Sequence, residues 1–235
     1  MTSVTTPALI YRLIQYSDKS AIALCFSRDY GKLKLFIPKA YSSKWGILTF
    51  VPGNISFGMK DSSDLHRFNS YSHDPTYYGY TQNPDIIMRL HLLFDFFETT
   101  FHPGANLPVL WKLILKYNDK NWRSLTLYSI YRILKEAGAV FRTNCACGSI
   151  DRLYLSEGEL ICGSCLSFSE KKEALLVEQD VLDLVSIFDD NTVFKNTVFC
   201  EEEERKILYY FQQQQEILTG KKDSLKSIKV FFSMM

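Results

Sequence analysis

The sequence predicts an α+β chain of more than one domain: a five-stranded β-barrel over residues 1–80, then a helical domain over residues 81–235 with a four-cysteine loop at 144–166. Three observations carry this reading. The first ~80 residues alternate with period two and are rich in β-branched and aromatic side chains. At Asn83-Pro84 the apolar period becomes helical. Four cysteines then fall within 21 residues, as Cys145-Ala146-Cys147 and Cys162-Gly163-Ser164-Cys165.

The strands are expected at residues 8–16, 21–27, 32–40, 47–59 and 65–71. Turn chemistry separates them: Ser17-Asp18-Lys19, Arg28-Asp29-Tyr30-Gly31, Ser42-Ser43-Lys44 and Asp61-Ser62-Ser63. In the third segment Leu33, Leu35 and Ile37 alternate with Lys32, Lys34 and Phe36, so one face is core and the other is wet. Five short strands in so little chain suit a small barrel, of which the OB-fold is the commonest, and the expected N-terminal domain is an OB-type β-barrel. An SH3-like barrel has the same strand count.

Asn83 caps the first helix, Pro84 fits its first position and Asp85 complements its dipole. Ile86, Leu90, Leu93, Phe94, Phe97 and Phe101 recur at helical spacing until His102-Pro103-Gly104. A second helix follows Asn106, a third spans residues 122–137 and ends at Gly138, and two more cover residues 177–188 and 202–218. The aromatic stripe of the first helix reads as bundle core. Glu201–Glu204 reads as an acidic first turn and Gln212–Gln215 as exposed helix surface.

Zinc binds four tetrahedral soft ligands, and two close cysteine pairs joined by a short loop supply them: Cys145, Cys147, Cys162 and Cys165. Gly148, Gly158 and Gly163 provide the turns, although the first pair has a single intervening residue. Four thiolates leave no open position, so a zinc ion here builds structure. Two other readings stand beside it: buried small hydrophobes, and a redox dithiol at Cys162 and Cys165. Cys25 and Cys200, in apolar surroundings, read as core or idle thiols.

The chain has 235 residues, 46% hydrophobic and 23% charged, which is the composition of an ordered globular protein. The start lacks a signal-peptide pattern and no apolar run reaches the ~20 residues of a membrane span, so a cytoplasmic location without membrane contact is expected. Paired cysteines there favour metal over disulfides. The net charge of +1 hides an asymmetry: residues 1–60 carry +6 and residues 144–235 carry −6. A basic barrel can face a polyanion, and ordinary solvated lysines give the same count. His66, His73, His91 and His102 never pair at ligand spacing. No Walker loop, nucleophile elbow or zinc-deaminase signature occurs, and no enzymatic activity is expected.

Several local patterns resemble one family. Tyr16-Ser17-Asp18-Lys19 matches its first turn, residues 21–26 its second strand, and Tyr30-Gly31-Lys32-Leu33 its entry to the third strand. Cys147-Gly148 and Cys162-Gly163-Ser164-Cys165 match its zinc loop, and Leu225-Lys226-Ser227 its closing motif. In order and spacing the chain resembles the RecO family of bacterial recombination-mediator and DNA-repair proteins over essentially its whole length. Three departures stand out. Asn144 occupies a position where that family has cysteine, the basic stretch after the third strand is reduced to residues 39–44, and Ile228-Lys229 replaces two arginines.

The resemblance implies a bacterial cytoplasmic protein, nucleoid-associated during repair, that binds single- and double-stranded DNA and promotes annealing. It implies RecR as a partner, contact with the single-strand-binding protein SSB through its C-terminal tail, and help in loading RecA. Lysines neutralise phosphate while aromatic faces stack bases. The DNA-contact candidates are Arg12, Lys32, Lys34, Lys39 and Lys44, with Tyr30 and Tyr41 as stacking platforms or rim packing. Arg123, Arg132 and Lys135 are the partner-contact candidates, placed near helices where an acidic, aromatic-ended tail would dock. Two alternatives remain: an adaptor for RecR and SSB with little DNA affinity, and a zinc-bearing thiol oxidoreductase.

Overall fold

The computed structural model describes residues 2–41, 46–59, 63–167, 169–172, 174–190, 194, 197–222 and 224–234. Its N-terminal strands are β1 (Thr2–Gln15), β2 (Ala21–Ser27), β3 (Gly31–Ile37), β4 (Gly53–Met59) and β5 (Leu65–His73). They join in the order β1-β2-β3-β5-β4, and β4 pairs back with β1, so the sheet closes on itself. Among the described residues of these five strands, only the β3–β5 pair is parallel.

Closure explains why β1 begins six residues before the alternating stretch read from the sequence. Thr2–Ala8 pairs with β4 while Ala8–Gln15 pairs with β2, and a bulge between Ile10 and Arg12 accommodates the bend. Residues 47–52, expected as strand, lie outside β4. Phe50 takes a left-handed φ of 63° and Pro52 has no N–H for a ladder. Inside the barrel Ala8, Ile10, Ala23, Leu35, Ile55 and Phe57 are fully buried.

By contacts the chain divides into one compact unit of Met1–Phe94 with Phe101–Trp122, and another of Asp95–Thr100 with Arg123–Met235. The first unit thus runs past residue 80 to take in residues 84–94 of helix α1 (Pro84–Thr100) and Phe101–Trp122, while residues 95–100 of that helix fall in the second. The N-terminal part of α1 belongs with the barrel: Phe94 stacks on Tyr11 with ring centroids 4.5 Å apart. Helix α2 (Pro108–Ile114) sends Trp111 to within 6.2 Å of the Phe26 ring. Arg89, only 2% exposed, lies 3.8 Å over the Trp122 ring.

The second unit holds α3 (Trp122–Glu136) from Arg123 onward, the strands β6 (Leu153–Ser156), β7 (Glu159–Cys162) and β8 (Leu175–Leu176), then α4 (Gln179–Ser186), α5 (Glu201–Thr219) and α6 (Lys226–Met234). Its core includes an aromatic cluster in which Tyr131 and Phe188 lie 5.3 Å apart and Phe188 and Phe211 6.0 Å apart. The acidic run does open α5, with Glu203 accepting from the Cys200 N–H at 2.7 Å. Glu204, though, is fully buried and paired with Arg123 at 3.0 Å. The glutamine run is corrected outright: Gln214 and Gln215 are buried, bonded to the Tyr210 hydroxyl and to Thr219 and Ser224. Among the described residues no helix is long and apolar enough to cross a membrane.

Candidate metal centre and outer face of the barrel

The four cysteines come together from two tight turns. In the first, the Gly148 N–H donates to the Cys145 carbonyl at 2.9 Å, and Gly148 takes the left-handed φ of 86° that this turn requires. In the second, the Cys165 and Leu166 N–H groups donate to the Cys162 carbonyl at 3.0 and 3.1 Å. The β6–β7 hairpin joins the turns, and Cys162 is the last residue of β7. All four Sγ atoms lie within 4.8 Å of one another, with Cys145 and Cys162 buried and Cys147 and Cys165 exposed.

This donor set fits a metal ion. A tetrahedron with metal–sulfur bonds of ~2.3 Å has sulfur–sulfur edges of about 3.8 Å, and Cys147 Sγ lies 3.6 Å from Cys162 Sγ. The single-residue spacing of the first pair therefore does not keep its thiols from the cluster. The backbone N–H of Cys165 holds the Cys162 thiol low, at about 6, and the backbone N–H of Cys147 lowers Cys145. Cys165, bonded to the thiols of Cys162, Cys147 and Cys145, is pushed up to about 12. Four thiols in one cluster resist ionising together, and a cation relieves that conflict. Cys25 is buried in the barrel, with burial pushing its thiol up, and Cys200 is exposed at the α5 N-terminus.

The DNA-contact candidates separate. Lys32 is withdrawn: it is 5% exposed and its ammonium donates to the Phe101 carbonyl at 2.9 Å. The chain at 104–105 runs against the start of β3, with backbone bonds in both directions to Lys32, and covers it. Arg12 and Lys34 are half-buried, Lys39 is exposed at a left-handed φ of 54°, and Lys44 lies outside the described residues. Tyr30 packs edge-on to Phe57 at 5.8 Å against the barrel core, whereas Tyr41 is 55% exposed.

Strand register aligns the outward residues of the barrel in rows, since directly opposed residues share a face. One row runs Arg12, Leu24, Lys34, Leu65, and the next runs Ile14, Ile22, Phe36, Arg67. Tyr16, 65% exposed in the β1–β2 turn, meets the Phe36 ring edge-on at 5.6 Å. Arg67 is exposed and Ile14 is 44% exposed. Sequence reasoning did not single out Tyr16, Phe36 and Arg67 as contacts. The legible signal was Phe36 itself, an aromatic on the wet side of an alternating strand.

The partner-contact candidates are engaged within the second unit. Arg123 pairs with buried Glu204 and donates to the Phe199 carbonyl at 3.1 Å. Arg132 bonds Glu136 at 2.9 Å, and Lys135 bonds Asp189 at 2.5 Å and the Tyr131 hydroxyl at 3.0 Å. Arg123 is thereby a structural cation, while Arg132 and Lys135 bind neighbours on the surface of their own unit.

No protein family matches this chain, and no curated protein matches it.

Proposed function

We propose that the chain is a non-enzymatic DNA-binding protein of the recombination-mediator kind, with an OB-type barrel that holds single-stranded DNA and a structural zinc in the four-cysteine loop. One observation carries this reading: two aromatic rings and three cations on one stretch of the barrel's outer face. OB-folds offer strands 2 and 3 and the loop between strands 1 and 2 to oligonucleotides. Here that surface presents Phe36 and Tyr16, with Arg12, Lys34 and Arg67 in the adjoining positions. Bases stack on the rings while the cations neutralise phosphates, which needs no base-edge readout and is insensitive to sequence. The ring order, with its parallel β3–β5 pair, supports the OB-type assignment. Four thiolates leave zinc no open position, so its contribution is to fold the loop.

Annealing and the partnership with RecR, SSB and RecA rest on the resemblance to the RecO family. The burial of Lys32 favours a second reading, an adaptor for RecR and SSB with a thinner DNA surface. Titrating labelled oligothymidine at about 50 and 200 mM salt, with and without RecR, separates the two. The mediator binds with steep salt dependence. Tyr16→Ala with Phe36→Ala weakens it by ~1–3 kcal/mol per lost stack. Arg12→Ala with Lys34→Ala lowers the salt slope by about 1.4, at ~0.7 per phosphate contact on single strands. Unchanged affinity and slope in both double variants would remove this face from the reading. Retained binding of the SSB C-terminal peptide without oligonucleotide binding would establish the adaptor.

A further inference from the structure

The second unit carries a groove of about 690 Å³ between the tip of the β6–β7 hairpin and the C-terminal turns of α5. Its apolar part comprises Leu155, which is buried, Ile161 and Leu175, both half-buried, and Ile217, 38% exposed. Among the described residues, four carboxylates line it, from Glu157, Glu159, Glu170 and Glu216, against one ammonium, that of Lys222.

The tip is a preset shape. Ser156 pairs with Glu159 across a two-residue turn in which Glu157 has φ 48° and Gly158 φ 88°, the signs a type I′ hairpin requires. A Cβ placed on Gly158 would meet Ile217 Cγ2 at 3.4 Å, so the turn rests against α5. Two carboxylates are oriented by their neighbours: Glu170 accepts from the Ser167 N–H at 2.9 Å and Glu216 from the Gln212 amide at 2.9 Å. An apolar floor under an acidic rim repels a polyanion and complements a cationic chain that brings an apolar anchor.

We propose that this groove docks a lysine- or arginine-bearing segment of a partner protein, seating an aliphatic or aromatic side chain on Ile217 between the carboxylates of Glu157, Glu159 and Glu216. The assignment does not depend on the DNA reading, because none of its residues lies in the barrel.

The test uses the full-length chain and three labelled hexapeptides in fluorescence anisotropy: alternating lysine and leucine, alternating lysine and serine, and alternating glutamate and leucine. The lysine–leucine probe should bind at least tenfold more tightly than the lysine–serine probe, and the glutamate–leucine probe should not bind. Ile217→Ser, and separately Glu157→Lys with Glu159→Lys, should each weaken the lysine–leucine probe at least tenfold. The same variants should keep wild-type oligothymidine affinity, which separates this outcome from any failure of the DNA reading. Glu216→Gln serves as a further surface variant should Ile217→Ser melt early. Equal binding of the lysine–serine probe, or lysine–leucine affinity unchanged in all variants, overturns the proposal.

Discussion

Lys32 and Lys34 sit two residues apart on the outward face of β3, yet only Lys34 keeps access to solvent. The covering segment at 104–105 occupies the Lys32 end of the strand, and the Phe101 carbonyl takes its ammonium. Lys32→Met should therefore leave the salt slope of oligothymidine binding unchanged, while Lys34→Ala lowers it by about 0.7. Titrations at four salt concentrations read both, and a slope change for Lys32→Met would return that lysine to the DNA surface. His73 supports a different test. Burial lowers its pKa, and its Nε2 accepts the Leu48 N–H at 3.1 Å, a bond that only the unprotonated ring nitrogen can accept. The folded chain thus binds fewer protons than the unfolded one, whose imidazole titrates near ~6.5. Its stabilisation is present above that pH and is lost as the pH falls through it towards the lower folded value. Urea midpoints should drop between pH 7.5 and pH 5, and His73→Gln should flatten that drop; equal slopes would deny the histidine this role.

At the scale of elements, Gly31 shows what the sequence displays and what it hides. Its place before a lysine and an alternating strand was legible as a turn; its second duty was not. It holds φ 63°, and a Cβ there would stand 2.1 Å from the Ala105 carbonyl oxygen, a contact across 74 residues of sequence. Gly31→Ala should cost more than the ~1–2 kcal/mol of a left-handed side chain alone, because backbone must also move. A thermal melt within a degree of wild type would show that the covering segment yields easily. The same limit applies to α6, which the Leu225-Lys226-Ser227 pattern does not by itself announce as a helix. Its N-terminus is held by Asp95, whose carboxylate accepts from the Ser227 N–H at 2.9 Å and hydroxyl at 2.8 Å. Strand alternation, helix caps and cysteine turns announce themselves within a few residues. Contacts between positions far apart in the chain, such as Asp95 with Ser227 or Arg123 with Glu204, leave no local pattern. For the same reason Gln214 and Gln215 looked like surface: their partners Tyr210 and Thr219 are local, but the packing that buries them is not. The four-cysteine cluster was legible because its members are close in sequence. On the proposed zinc site, Cys162→Ser should release the metal and lower stability by roughly 3 kcal/mol or more, about 6–12 °C in melting temperature for a chain of this size. Metal analysis of the purified variant and a melt beside wild type check both parts.

For the whole molecule, the charge division and the contact division run in parallel. Residues 1–60, at +6, lie in the unit containing the barrel, and residues 144–235, at −6, lie in the unit containing the cysteines. Arg12, Tyr16, Lys34, Phe36 and Arg67 all belong to the first unit; Cys145, Cys147, Cys162 and Cys165 all belong to the second. If each unit owes its order to its own core, the proposed DNA binding and the proposed metal binding part cleanly. Removing metal by chelation, or by Cys162→Ser, should leave oligothymidine affinity within about twofold of wild type, because no candidate DNA contact shares a unit with the four clustered cysteines. Gly31→Ala should do the reverse, weakening oligothymidine binding while the chain still carries one zinc ion. Anisotropy titration and metal content, measured on the same preparations of both variants, decide the matter. Loss of DNA binding on chelation would move the contact surface onto the cysteine loop and overturn the assignment to the barrel.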